Sequence, residues 1–269
     1  MLNRDFTVSI YKELIGRLIV AGYSFQTYHD FTEHSEEKVI LLRHDVDARK
    51  EHSLQFAKIQ HEMGIVGTYY FRMVPESFDE GVIREIASMG HEIGYHYEDM
   101  DFARGDVDKA YGLAKKHLAQ LREVAEIKTI CMHGSPRSPY DNKEVWNKYD
   151  YHELGIIAEP YFDLDFSKVL YLTDTGRRWD GDKVSIRDKV QGAGRKAHGG
   201  NSQVSGLMTH VYASTQDIIE ACNAGRLPDQ IMMNFHPQRW TNDPLKWTQE
   251  LVWQNVKNVV KRGLVKFRG

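Results

Sequence analysis

The run Val39-Ile40-Leu41-Leu42 passes without a turn signal into Arg43-His44-Asp45-Val46-Asp47. A short apolar run of this kind reads as a buried strand. Side chains alternate along a strand, so Arg43, Asp45 and Asp47 fall on one face. Two carboxylates at the end of such a strand are costly to desolvate. They persist there only with a metal, a cation or dense hydrogen bonding. The alternative is that they cap the helix beginning near Arg49, since Asp is a favoured N-cap. The downstream sequence tips the balance toward a site. Gly90-His91-Glu92-Ile93-Gly94-Tyr95-His96, Cys131-Met132-His133-Gly134 and Asn234-Phe235-His236-Pro237 place histidine at the ends of three further apolar segments.

Around these segments the chain alternates strand and helix. Helices are expected over 8–22, 50–63, 78–89, 106–125 and 142–149. Strands are expected over 39–47, 67–73, 91–96 and 129–134. Gly22, Gly64 and Gly90 stand where helices stop, as glycine does at a helix C-terminus. Crossover helices between successive strands imply parallel pairing. The fold class is therefore α/β, either a barrel or an open sheet. In a (β/α) barrel the active-site residues gather at the carboxyl ends of the strands. Asp45, Asp47, His96, His133 and His236 all fall at such ends, which argues for one shared site.

The later half is less regular. Strands are expected over 168–173, 183–187 and 230–236, and helices over 215–224 and 244–262. The stretch 189–206 is rich in Gly, Lys, Arg, Ser and Gln and reads as a surface loop. No internal repeat or linker divides the chain, so residues 1–269 are expected to form a single domain with a core over about 38–240. The N-terminal and C-terminal helices would pack on that core.

Composition narrows the function classes. A net charge of −3 gives no footprint for nucleic acid. Lys12, Glu13 and Arg17 interrupt the first amphipathic stretch, so it does not read as a signal peptide. No apolar run approaches the ~18 residues of a membrane span. Cys131 and Cys222 form no Cys-x-x-Cys pair and suit a reducing compartment. The expected location is cytoplasmic.

The order strand–Asp-x-Asp, Gly67-Thr68-Tyr69-Tyr70-Phe71, Gly90-His91-Glu92-Ile93-Gly94-x-His96 and a late strand–His resembles the polysaccharide deacetylases of the NodB-homology type, carbohydrate esterase family 4. Within that family it is most similar to a divergent branch associated with O-antigen biosynthesis. The resemblance spans about 38–240. It implies a distorted (β/α) barrel of about seven parallel strands with a divalent metal at the strand ends. It also implies a hydrolase that removes an N-acetyl group from a sugar or glycan precursor. Carried over by residue, Asp45 is the catalytic base and His236 the catalytic acid. Asp47 and His96 are metal ligands. Zinc suits the mixed carboxylate and imidazole set, with cobalt or nickel as alternatives.

The chain departs from the family pattern at three places. The second metal histidine, four positions after the first, is replaced by Met100. His133 is the favoured substitute, with Glu98 as its competitor. The family's Asp-Asp-Gly becomes Asp45-Val46-Asp47, which leaves base and ligand open to exchange. An Arg-Pro-Pro-Tyr-like segment survives only loosely in Ser135-Pro136-Arg137-Ser138-Pro139-Tyr140. His91 reads as solvent-facing or structural, His44 as a core or packing residue, and Tyr95 and Tyr97 as packing residues. Arg43, Glu98, Asp174, Arg178 and Trp179 are candidate substrate contacts. Arginine can grip an anion in a forked geometry, and tryptophan can stack on a sugar. The expected partner is an N-acetylated sugar or a nucleotide-linked or lipid-linked glycan precursor. Two other readings compete: an O-acetyl esterase or other amidohydrolase on the same scaffold, and an inactive carbohydrate-binding protein.

Overall fold

The computed structural model describes residues 4–135, 138–179 and 212–255. Its centre is strand β2 (Val39–Val46), buried along its whole length. Among the described residues the other strands are β1 (Ser24–Gln26), β3 (Thr68–Phe71), β4 (Glu92–Tyr97), β5 (Ile127–Met132), β6 (Leu170–Thr173) and β7 (Gln230–Phe235). They form one 7-stranded sheet in the order β5-β4-β3-β2-β7-β6, with β1 beside the start of β2. Every pairing is parallel. All carboxyl ends therefore lie along one edge, and β2 sits between the two halves of that edge.

The helices begin where side chains can cap them. Thr7 caps α1 (Val8–Val20), Asp79 caps α4 (Glu80–Ser88) and Asp106 caps α6 (Val107–Arg122), each accepting a first-turn N–H. Ser214 and Asp217 form a reciprocal capping box on α8 (Thr215–Asn223). Helix α3 (Lys50–Glu62) has no side-chain cap, and Arg49 at its start takes a left-handed φ of 52°. Tyr11, Leu14, Ile15 and Leu18 recur at helical spacing and bury one face of α1. Residues 244–255 are helical, as expected for that part of the terminal helix.

The period of two along β2 sorts its side chains. Ile40, Leu42 and Val46 enter the large apolar cluster with Phe56, Tyr69, Phe235 and Trp240. His44 points the same way and stacks on Tyr69 with ring centroids 4.1 Å apart. Its Nδ1 donates to the Thr68 carbonyl and its Nε2 accepts from Gln60. Burial holds its pKa down to about 3, so it is a neutral core residue. On the opposite face, Val39 and Leu41 join a smaller cluster with Tyr28, Leu164 and Met232. That face turns polar at Arg43 and Asp45.

Two segments differ from expectation. Residues 142–149, expected as a helix, hold a 3-10 helix over Asn142–Asn147, and a second one with no expected counterpart follows at Tyr151–Leu154. The pair β1 and α2 (Tyr28–Glu33) has no expected counterpart, because three residues carry too little periodicity to read. The strand expected over 183–187 and the loop over 189–206 lie outside the described residues.

Candidate functional site

The carboxyl ends of β2, β4, β5 and β7 bring Asp45, Asp47, His96, His133 and His236 together. After β2 the chain turns at once, with the Asp47 amide donating to the Asp45 carbonyl at 3.0 Å. His96 is the fifth residue of β4, and His133 is one residue beyond β5. The His133 amide donates to the Tyr97 carbonyl, and its carbonyl accepts from Asn142 Nδ2. Asn142 Oδ1 also accepts from the Met100 amide, so it brackets His133 to α5 (Asp99–Phe102). Met100 is buried in the apolar cluster.

Three donor atoms converge. Asp47 Oδ1 lies 3.1 Å from His133 Nδ1 and 3.6 Å from His96 Nε2, and those two nitrogens are 3.2 Å apart. Metal–ligand bonds of about 2.0–2.1 Å in a tetrahedron give edges of about 3.3 Å. The triangle therefore has the size of one face of a zinc site. His96 Nδ1 lies 2.9 Å from the Cys131 carbonyl. A carbonyl only accepts, so Nδ1 carries the proton and Nε2 presents its lone pair to the cluster.

Charge pairing singles out the same place. Asp45 receives Arg43 through two bonds of 2.8 and 2.7 Å. Glu98 receives Arg72 through two of 2.8 and 2.7 Å. Asp174 receives Arg239 at 2.8 Å. Among the described residues Asp47 pairs with no arginine, and its Oδ1 is buried without a well-formed hydrogen bond. It is the carboxylate of the cluster that faces imidazoles and not a guanidinium. A divalent cation held by Asp47, His96 and His133 fits that donor set.

Burial pushes the carboxyls of Asp45 and Asp47 up. For Asp45 the Arg43 guanidinium, His96 and His236 outweigh that push; for Asp47 the neighbouring His133, His96 and His236 do so. Both are held well below the usual carboxylate range. Asp45 also accepts from Asn234 Nδ2 at 3.0 Å.

His236 faces the cluster from β7. Its Nδ1 lies 2.6 Å from Asp174 Oδ1, and its amide donates to Asp174 Oδ2 at 2.9 Å. The carboxylate accepts, so Nδ1 is protonated and Nε2 points inward. Nε2 stands 4.0 Å from Asp45 Oδ2 and 3.9 Å from Asp47 Oδ2. Those gaps are too long for direct hydrogen bonds and suit a bridging water.

The expected substrate contacts are placed differently. Trp179 is buried among Phe6, Phe235 and Trp240 and donates to Thr215, so it cannot stack on a sugar. Arg43 is buried against Asp45 and is closed to substrate. Both Glu98 oxygens are taken by Arg72, and its Oε2 lies 4.0 Å from His133 Nε2. Asp174 is fully buried and serves His236, Arg239 and Trp240 rather than a ligand. Arg178 is exposed, while Arg177 turns inward onto Trp247. Arg72, Asn234, Gln238 and Arg239 escaped the sequence reading. Arg72 carried a readable signal, a lone charge immediately after the apolar strand β3.

No family model matches the chain, and no curated protein matches it. Among solved structures it is similar to a family 4 carbohydrate esterase from Bacillus anthracis, at 15% identity and a TM-score of 0.37. That match covers 58% of this chain and 71% of the other. It is also similar to the Xyl-CE4 domain of a multidomain xylanase from the hindgut metagenome of Trinervitermes trinervoides. There the identity is 10%, the TM-score 0.38, and 85% of each chain is covered.

Proposed function

We propose that this chain is a metal-dependent hydrolase that removes the acetyl group from the nitrogen of an N-acetylated sugar. The observation that carries the reading is the triangle of Asp47 Oδ1, His96 Nε2 and His133 Nδ1, faced by a histidine that Asp174 orients. Zinc is the ion the donor set favours. When bound it would acidify a water and polarise the acetyl oxygen. The chain's own residues do the rest. Asp45, kept ionised by Arg43, accepts a proton from the attacking water as its oxygen bonds to the acetyl carbon. His236, starting protonated, gives its Nε2 proton to the sugar nitrogen as the carbon–nitrogen bond breaks. Acetate and a free amine leave. Asp174 fixes the ring and stabilises its charged form. We read the substrate as a nucleotide-linked or lipid-linked glycan precursor in O-antigen or capsule assembly, on the resemblance to the branch associated with O-antigen biosynthesis.

The test begins with metal content. The purified protein is expected to hold near-stoichiometric zinc or a similar ion, lost in Asp47→Ala and in His96→Ala. His236→Ala is expected to keep the metal and lose amide hydrolysis by about 10²-fold or more. Absence of metal after loading with zinc, cobalt or nickel would refute the reading. Undiminished turnover in His236→Ala would remove that residue from the mechanism.

A further inference from the structure

The two oxygens of Asp47 have different surroundings. Oδ1 faces His133 and His96, while Oδ2 accepts from Gln238 Nε2 at 3.2 Å. A carboxylate turns easily about its last side-chain torsion, so the backbone alone does not select which oxygen meets the histidines. Gln238 makes that selection. An ionised carboxylate only accepts, which fixes the amide with its nitrogen toward Asp47.

The backbone of Gln238 is held in turn. His236 follows β7 directly, and Pro237 opens the one-turn 3-10 helix Pro237–Arg239. The carbonyl of Gln238 accepts from Arg49 Nη1 at 3.3 Å. One turn thus carries three functions in four residues. His236 faces the cluster, Gln238 holds Asp47, and Arg239 neutralises Asp174.

We propose that Gln238 is a positioning residue for the metal site: it holds Asp47 Oδ2 so that Oδ1 stays aimed at the nitrogens of His96 and His133. This inference rests on the metal-site reading given above. It also couples the ion to the proton donor, because the turn that seats His236 seats the ligand's clamp. Outer partners that orient a ligand typically change metal affinity by about 10–100-fold when removed.

Two variants test it. Gln238→Met keeps the length and removes the donor. Gln238→Asn keeps the polarity and is one methylene too short to reach. Zinc affinity is measured by competition with a chromogenic chelator, and the visible band of the cobalt-loaded protein reports coordination geometry. The metal-free thermal midpoint reports folding. Both variants are expected to bind zinc about 10–100-fold more weakly, with an altered cobalt band and a nearly unchanged metal-free midpoint. Wild-type affinity and an unaltered band in both variants would overturn the proposal. So would a lowered metal-free midpoint with wild-type affinity, which is the mark of a packing role. Failure of the unmutated protein to bind either ion would refute the metal site itself, and the inference with it.

Discussion

Asp47 and Glu98 show how a single charge pairing decides a residue's role. Both are carboxylates at strand ends beside His133. Glu98 is matched by the Arg72 fork, which also donates to the Asp47 carbonyl at 3.2 Å. In the proposed site the unmatched Asp47 would take the cation, while Glu98 stays with Arg72, its Oε2 4.0 Å from His133 Nε2. His133→Ala is therefore expected to lose zinc, while Glu98→Gln keeps it. Zinc content after dialysis against a weak chelator checks both. Retention of metal by His133→Ala with its loss from Glu98→Gln would reverse the assignment.

The elements show why the segment Gly90–His96 has its glycines. Gly90 adopts a φ of 87° after α4, a conformation that stops the helix and starts β4. Gly94 answers a different need. A methyl group there would stand 2.3 Å from the Tyr70 ring, which is fully buried on β3 and bonded to Thr129 at 3.0 Å. Gly94→Ala is expected to destabilise the fold by about 1–3 kcal/mol, the usual penalty for overpacking a rigid core. Urea unfolding measures it. Tyr70→Leu in the same chain should recover part of the loss, and strict additivity of the two would show that the ring is not the cause.

At the scale of the whole molecule, one buried carboxyl ties stability to pH. Glu159 is fully buried. It accepts from the amides of Met132 and Tyr161 at 3.0 and 2.5 Å. Burial outweighs those bonds and the nearby Arg43 charge, and its carboxyl is pushed up to about 7. An unfolded glutamate releases its proton near pH 4.3. Between these values the folded chain holds a proton that the unfolded chain has lost, so stability falls as pH rises. Relative to Glu159→Gln, the wild type is expected to lose about 3 kcal/mol between pH 4.5 and 7.5. Denaturant unfolding at both pH values checks this. A difference that stays flat with pH would mean that Glu159 folds already ionised.

The sequence by itself determined the alternation of elements, and so a parallel sheet with its carboxyl ends on one edge. The alternation of side chains along Val39–Val46 put Asp45 on one face and His44 on the other, because pleating leaves no choice. Histidine at the ends of β4, β5 and β7 was legible for the same reason, since strand ends in a parallel α/β fold share one edge. What the tertiary structure decided was partnership. Trp179 lies among core aromatics and Asp174 beneath His236, although both had read as substrate contacts on a polar turn. Nothing local tells a charged turn that closes over the core from one that faces solvent. His133 reaches His96 across a strand pairing, and Gln238 reaches Asp47 across 191 residues. Such contacts arise from the order in which strands lie side by side, and residue spacing carries no record of that order.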